Sequence, residues 1–127
     1  MANEMNLLNW TFFREVDIPD DITTLLVENE KPIASFATIR DVAVFTNKRL
    51  IVKDAQGITG KKVEIYSLPY SSILMWSTEN AGKLFDLNAE VELWTKVGKI
   101  KINLKKVRGN RFQRVIQGVK VLRPAFL

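Results

Sequence analysis

Apolar and polar residues alternate along two stretches in the second half of the chain. Every second residue is apolar over residues 87–93 and again over residues 100–104. Successive side chains of a strand point to opposite faces of a sheet, so this period predicts two strands that are each buried on one face. Residues 31–39 instead carry apolar residues on both parities, which predicts a strand whose outer face is partly covered by a helix or by a second subunit.

The two alternating strands share one interior only in certain registers. Their apolar rows face the same side when the numbers of paired residues sum to an odd value. A turn at Val97 and Gly98 meets this condition. The predicted pairs are Leu93 with Ile102, Val91 with Leu104, and Glu90 with Lys105.

A hairpin and a third strand are predicted in the middle of the chain. Residues 42–45 and 50–52 are apolar and β-prone, and Asn47 between them suits a tight turn because asparagine tolerates positive φ. The glycines of residues 57–60 mark a second reversal before a strand over residues 63–66.

Two helices are predicted, one near each end. Pro19 lies among three aspartates, which predicts a short helix over residues 20–27 with an aspartate as N-cap. Residues 110–122 predict an amphipathic helix that begins at Asn110 and ends before Pro124. Its apolar stripe consists of Phe112, Val115, Ile116, Val119 and Leu122.

The composition argues against most catalytic chemistry. The chain has 127 residues, which suits one domain with its own core, and it contains neither cysteine nor histidine. It therefore lacks thiolate nucleophiles, sulfur-based zinc sites and the most common general base. We predict no catalytic residue, no cofactor and no metal site. Asp17, Asp20 and Asp21 are interpreted as helix-capping residues rather than calcium ligands. Glu90 and Glu92 are interpreted as part of a solvated sheet face rather than a catalytic carboxylate pair.

Charge is distributed unevenly along the chain. Residues 1–40 hold three basic and seven acidic side chains, whereas residues 91–127 hold ten basic and one acidic. A basic end attracts phosphate groups or meets the acidic end of another copy. Nucleic acid is disfavoured, because Trp76 and Trp94 lie outside the basic segment and cannot stack bases there. The candidate anion or lipid contacts are Lys99, Lys101, Lys105, Lys106, Arg108 and Arg111.

Several sequence segments carry a closer likeness than the strand pattern alone. They are residues 39–41 (IRD), 44–51 (VFTNKRLI), 56–64 (QGITGKKVE), 69–70 (PY) and 85–90 (FDLNAE). In this order they resemble the bacterial pleckstrin-homology (PH) domain family, with residues 20–122 covered. The resemblance implies a mainly β (α+β) fold, a PH-like barrel of about seven antiparallel strands, closed by a C-terminal amphipathic helix and preceded by an extra short helix. It also implies ring-shaped homo-oligomers and no established activity.

The first residues are expected to stand apart from this pattern. We divide the chain into an apolar segment over residues 1–14 and a single PH-like domain over residues 15–127. Met5, Leu8 and Phe12 recur at intervals of three and four, and the segment has no basic residue before Arg14, so packing on the domain or on a neighbouring subunit is favoured over a membrane. The candidate interface residues are Met5, Leu8, Trp10, Phe12, Phe13, Ile33 and Trp94.

The leading hypothesis is a non-enzymatic, self-associating PH-like domain that acts as a ring-forming scaffold or a protein-interaction module. Its partner is a second copy of the chain or another protein. The alternative is a peripheral membrane or anionic-lipid binder that uses the basic C-terminal region. No apolar stretch reaches the roughly 18 to 20 residues that span a bilayer, and the first residues include no basic leader, so a cytoplasmic location is expected.

Overall fold

The computed structural model describes residues 6–56, 61–80 and 89–104. In these ranges nine strands, one helical turn and one 3-10 turn follow each other along the chain. The elements are β1 (Asn6–Phe12), β2 (Arg14–Val16), α1 (Asp20–Thr23), β3 (Pro32–Ala37), β4 (Val42–Thr46), β5 (Arg49–Gln56), β6 (Lys62–Pro69), the 3-10 turn Tyr70–Ser72, β7 (Ile73–Asn80), β8 (Ala89–Thr95) and β9 (Gly98–Leu104).

The strands form two sheets. One has the order β1-β9-β8-β7 and the other the order β2-β3-β4-β5-β6. Neighbours within the sheets are antiparallel except β1, which runs parallel to β9. The chain crosses between the sheets from β1 to β2 and again from β6 to β7. The mainly β architecture and the central hairpin of β4 and β5 are therefore confirmed.

The main core lies between the two sheets. Phe12 of β1 is fully buried, and its ring stacks on Phe36 at 5.9 Å between centroids and meets Phe45 edge-on at 6.0 Å. Aromatic pairs in these geometries add to the free energy gained by burying their area. The remaining buried members are Trp10, Ala34, Ala43, Leu50, Val52, Tyr70, Ile73, Val91, Leu93, Ile100, Ile102 and Leu104.

A second, smaller core lies on the outer face of the five-stranded sheet. Ile22 of α1 packs there with Val42, Val44 and Ile51. The Lys53 ammonium on β5 donates a hydrogen bond of 2.5 Å to the Asp21 carboxylate, which holds α1 over the sheet and lowers the pKa of Asp21. A turn of helix from the same chain thus covers β4 and β5 on this face, whereas the cover predicted for residues 31–39 stays a prediction, since Ile33 is exposed.

The first helix is shorter than predicted. It ends at Thr23 rather than at residue 27, and Pro19 is its N-cap without a side-chain capping bond, so the predicted aspartate cap is wrong. The Thr23 and Thr24 hydroxyls donate to the backbone carbonyls of Asp20 and Asp21, and such bonds compete with helix propagation. The predicted C-terminal helix over residues 110–122 and the glycine turn over residues 57–60 lie outside the described residues.

The register of β8 and β9 has the predicted parity but is displaced. Val91 pairs with Ile102 and Leu93 with Ile100, so both apolar rows face the core. The pairs are two residues away from those predicted because the two-residue turn consists of Lys96 and Val97 rather than Val97 and Gly98, with Thr95 opposite Gly98. Gly98 has a φ of 153°, which glycine adopts readily. The predicted pairing of Glu90 with Lys105 is wrong, since Glu90 lies opposite Asn103.

Register shifts account for two exposed apolar residues. Ile33 lies at the shift between Pro32 and Ala34 of β3, and Leu74 at the shift between Ile73 and Met75 of β7. An extra residue in one strand interrupts the alternation of faces. The parity of a bulged residue in the sequence therefore does not decide whether its side chain is buried.

The neighbours Phe12 and Phe13 provide a test of this fold. Phe12→Ala removes a ring from the centre of the core and should lower the free energy of unfolding by about 3–5 kcal/mol. Phe13→Ala, at a side chain that is 39% exposed, should change it by less than about 1 kcal/mol. Urea unfolding followed by circular dichroism measures both. Equal losses would contradict the strand assignment of β1.

Candidate functional site

A buried charged cluster joins the connection before β3 to the hairpin of β4 and β5. The Glu30 side chain is fully buried, and Arg49 donates to it twice, from Nε to Oε2 at 2.9 Å and from Nη2 to Oε1 at 3.0 Å. The Thr46 hydroxyl donates to Oε2 at 2.6 Å, and the Val27 backbone N–H donates to Oε1 at 3.0 Å. Four donors therefore satisfy the two oxygens of one carboxylate.

The protonation of this cluster follows from these contacts. Burial acts to raise the pKa of Glu30, but hydrogen bonds from Arg49, Thr46 and Val27 and the charge of Arg49 outweigh it and lower the pKa to about 2. Burial raises the pKa of Tyr70, whose hydroxyl donates to the Thr46 carbonyl at 2.7 Å. Glu30 is thus held ionised, and its carboxylate oxygens are occupied by donors. This arrangement stabilises the fold and does not suit proton transfer to a substrate.

The outer face of the four-stranded sheet carries the predicted Trp94. Trp94 lies opposite Lys99 on β9 and opposite Met75 on β7. The Lys99 ammonium lies 5.6 Å from the centre of the Trp94 ring and 2.6 Å from the Glu92 carboxylate. The predicted outward face of Trp94 is confirmed, since its neighbour Leu93 belongs to the core. Whether Trp94 contacts another chain stays a prediction.

The lysines of this face are paired with acids of the same sheet. Lys101 lies 3.2 Å from Glu90, next to the pair of Lys99 with Glu92. Surface pairs of this kind add little stability, but they reduce the net charge presented to an anion. Lys99 and Lys101 are therefore weaker anion contacts than the sequence predicts. The candidates Lys105, Lys106, Arg108 and Arg111 lie outside the described residues.

The structure separates the predicted interface residues. Trp10 and Phe12 are buried in the main core, so they are unavailable to a partner and that part of the prediction is wrong. Leu8 is half-buried against the same core. The reason is that residues 8, 10 and 12 are apolar at intervals of two, which is the period of a strand. This period was present in the sequence together with the helical spacing of residues 5, 8 and 12. The exposed candidates that remain are Phe13, Ile33 and the half-buried Trp94, and Met5 lies outside the described residues.

Neither a metal-binding cluster nor a membrane-spanning helix is present in the described ranges. No group of three or more acidic residues there is arranged to hold a metal ion. Within the same ranges, no helix has the length and apolar character needed to cross a membrane.

A family assignment follows from the sequence and agrees with the two-sheet fold. The model of the bacterial PH domain family matches residues 2–120, so the chain belongs to that family. The match begins at residue 2, and β1 is a strand of the four-stranded sheet. Residues 2–14 therefore lie within the family match, contrary to the expectation that they stand outside the shared pattern, whereas the division of the chain at residue 14 stays a prediction.

Two relatives from Bacillus subtilis strain 168 have no characterised function. The chain is 49% identical to the uncharacterized protein YjqA over 77 residues, which is 61% of each chain. It is 35% identical to the uncharacterized protein YozO over 75 residues, 59% of this chain and 64% of that protein. The matches thus span less than two thirds of either relative, and neither name gives an enzymatic activity.

Solved structures support the same fold. The chain is similar to a DUF1696 family protein with a PH domain from Shewanella loihica, with a TM-score of 0.71 and 33% identity over 91% of this chain and 97% of that one. It is also similar to a PH domain from Shewanella amazonensis, with a TM-score of 0.57 and 35% identity over 84% and 83% of the two chains. The mainly β, two-sheet fold is therefore PH-like.

The Glu30 cluster predicts an acid-sensitive component of stability. The folded pKa of about 2 lies below the ordinary value of 4.5, so the contribution is present above pH 4.5 and is lost as the pH falls toward 2. Glu30→Gln leaves Arg49 without its anion and should cost about 3 kcal/mol at neutral pH. It should also flatten the loss of stability in that acid range.

Urea unfolding at a series of pH values measures both effects. Glu28→Gln, at an exposed acid two residues away, is the matched control and should behave like the wild type. A Glu30→Gln variant whose acid profile follows that of the wild type would show that the cluster does not set this dependence.

Proposed function

We propose that this chain is a non-enzymatic PH-like domain that associates with copies of itself into a ring and acts as a scaffold or interaction module. The observation that carries the proposal is the presence of exposed large apolar side chains on both sheets. Ile33 and Ile65 lie on the five-stranded sheet, and Met75 lies beside Trp94 on the four-stranded sheet. Exposed apolar side chains that lie side by side, as Met75 and Trp94 do, are typical of protein contacts.

A ring requires two different surfaces. In a cyclic assembly with more than two subunits, each chain offers one patch to the neighbour ahead and another to the neighbour behind. Patches on opposite sheets of one domain meet this geometric need. The uneven charge of the chain, acidic over residues 1–40 and basic over residues 91–127, favours head-to-tail over head-to-head contacts.

The absence of an enzymatic activity is supported by the chemistry of the chain. Cysteine and histidine are missing from the sequence, and the most perturbed carboxylate in the described ranges, Glu30, has its oxygens occupied by four donors. A cytoplasmic location is part of the same proposal. The anionic-lipid alternative is weaker, because Lys99 and Lys101 are paired with Glu92 and Glu90.

Matched substitutions test the interface. Ile33→Arg places a charge on a side chain that is 39% exposed in a strand, and it should shift the assembly toward monomer because burying an unpaired charge is costly. Ile39→Arg, at a side chain that is 73% exposed beyond the end of β3, should leave the assembly unchanged.

Sedimentation velocity and light scattering at micromolar concentration give the measurement. A wild-type chain that sediments as a monomer would remove the proposal. Ring assembly that survives both substitutions would exclude Ile33 from the contact. The assembly of Trp94→Ser would then be compared with that of the Ile39→Arg control in the same way.

A further inference from the structure

A cavity of about 540 Å³ opens between the two sheets. It lies at the end of the fold where the 3-10 turn Tyr70–Ser72 meets the turn between β8 and β9. Its size is within the range of roughly 300–1,000 Å³ that is usual for sites that bind small molecules. Its described lining does not include Ile33, Ile65 or Met75, so ligand binding in this cavity does not depend on the proposed contacts between copies.

The floor of the cavity is apolar and aromatic. Leu8 and Trp10 of β1, Ile100 of β9, and Tyr66 and Leu68 of β6 line it. The Trp10 and Tyr66 rings meet edge-on at 5.6 Å, which fixes the orientation of the two largest side chains. Such a floor favours a hydrocarbon or aromatic body, because it offers few partners to polar groups.

The mouth of the cavity is also partly apolar. Leu74 and Val97 line it and are 63% and 79% exposed. Val97 is placed there by the tight turn between β8 and β9, and Leu74 by the register shift in β7. Water in contact with these side chains is displaced when an apolar ligand enters, which favours binding.

One charge stands at this mouth. Among the lining residues that the structure describes, Lys96 is the single charged one, and none of them is a carboxylate. Lys96 is exposed, and it makes no ion pair within the part of the chain that the structure describes. Ser71, Ser72 and Thr95 also line the cavity, and the Ser72 and Thr95 hydroxyls donate to the backbone carbonyls of Pro69 and Gly98. An anionic group is therefore complementary to the rim, whereas a cationic group meets a like charge.

We propose that this cavity binds an amphiphile with an apolar body and an anionic head group, of the chemical class of a fatty acid. The hydrocarbon chain lies on the floor formed by Trp10, Tyr66 and Ile100. The carboxylate lies at the mouth within reach of the Lys96 ammonium. The same chemistry is offered by a free fatty acid and by an anionic lipid whose chain leaves a bilayer.

The primary test uses dodecanoate, below the concentration at which it forms micelles, with the full chain. Isothermal titration calorimetry should show saturable binding, and hexanoate should bind more than tenfold more weakly because it buries fewer methylene groups. Dodecyltrimethylammonium, which has the same hydrocarbon length and the opposite charge, should bind more weakly than dodecanoate. Equal binding of dodecanoate and dodecyltrimethylammonium would overturn the proposal.

Variants at an exposed turn residue locate the charge without disturbing the core. Lys96→Gln should weaken dodecanoate about fivefold, and Lys96→Glu should reverse the order of the two amphiphiles. Lys31→Gln, at an exposed lysine that does not line the cavity, is the control and should leave both affinities unchanged. No effect of either Lys96 substitution would contradict the predicted position of the head group.

Amide and indole signals in heteronuclear NMR spectra should place the ligand. The expected shifts cluster in residues 66–72 and 95–100 and include the Trp10 indole. Shifts confined to the outer face around Met75 and Trp94, or no binding by the full chain, would overturn the proposal.

Vesicles distinguish the two sources of the ligand. Co-sedimentation with phosphatidylglycerol vesicles that dodecanoate competes away would identify a bilayer lipid. Binding of dodecanoate without binding to vesicles would identify a free fatty acid. Light scattering of the same samples reports the assembly separately, so failure of this proposal and failure of the ring proposal give different results.

Discussion

The interior shared by the two sheets depends on Phe12, a side chain near the start of the chain. Its ring contacts Phe36 and Phe45 of the five-stranded sheet, while β1 itself belongs to the four-stranded sheet. One strand thus contributes to the packing of both sheets. The chain then crosses from β1 to β2 after a single residue, Phe13. Because close-packed aromatic cores lose several kcal/mol when a ring is removed, β1 contributes directly to the stability of both sheets.

A polar cluster complements this apolar core at the edge of the fold. Glu30 holds the connection between α1 and β3 against the β4–β5 hairpin through Arg49 and Thr46. Breaking a buried pair is costly because the remaining charge is uncompensated, so this cluster favours one arrangement of the connection. Glu30, the carboxylate with the most strongly shifted pKa in the described ranges, therefore stabilises the fold. The proposed functions rest instead on the exposed apolar side chains of the two sheets and on the cavity beside Lys96.

The parts that sequence patterns predicted are those governed by local rules. The β4–β5 hairpin follows from an asparagine between two apolar runs, and the outward face of Trp94 follows from strict alternation. Residues 8, 10 and 12 also alternate, but a helical spacing through the same segment concealed the strand. The Glu30–Arg49 pair left no sequence signal, since its two members are nineteen positions apart.

By itself the sequence determined which side chains of β8 and β9 face inward, because a period of two assigns alternate residues to opposite faces whatever the partner strand. Only the tertiary structure decided the register. Shifting one strand by two residues along the other leaves every side chain on the same face, so the position of the tight turn before Gly98 selects among these registers. The tertiary structure also decided that β1 runs parallel to β9, and that Trp10 with Tyr66, far apart in the chain, share one cavity. Contacts between distant residues follow from how strands are ordered in space, and periodicity along the chain carries no information about that order.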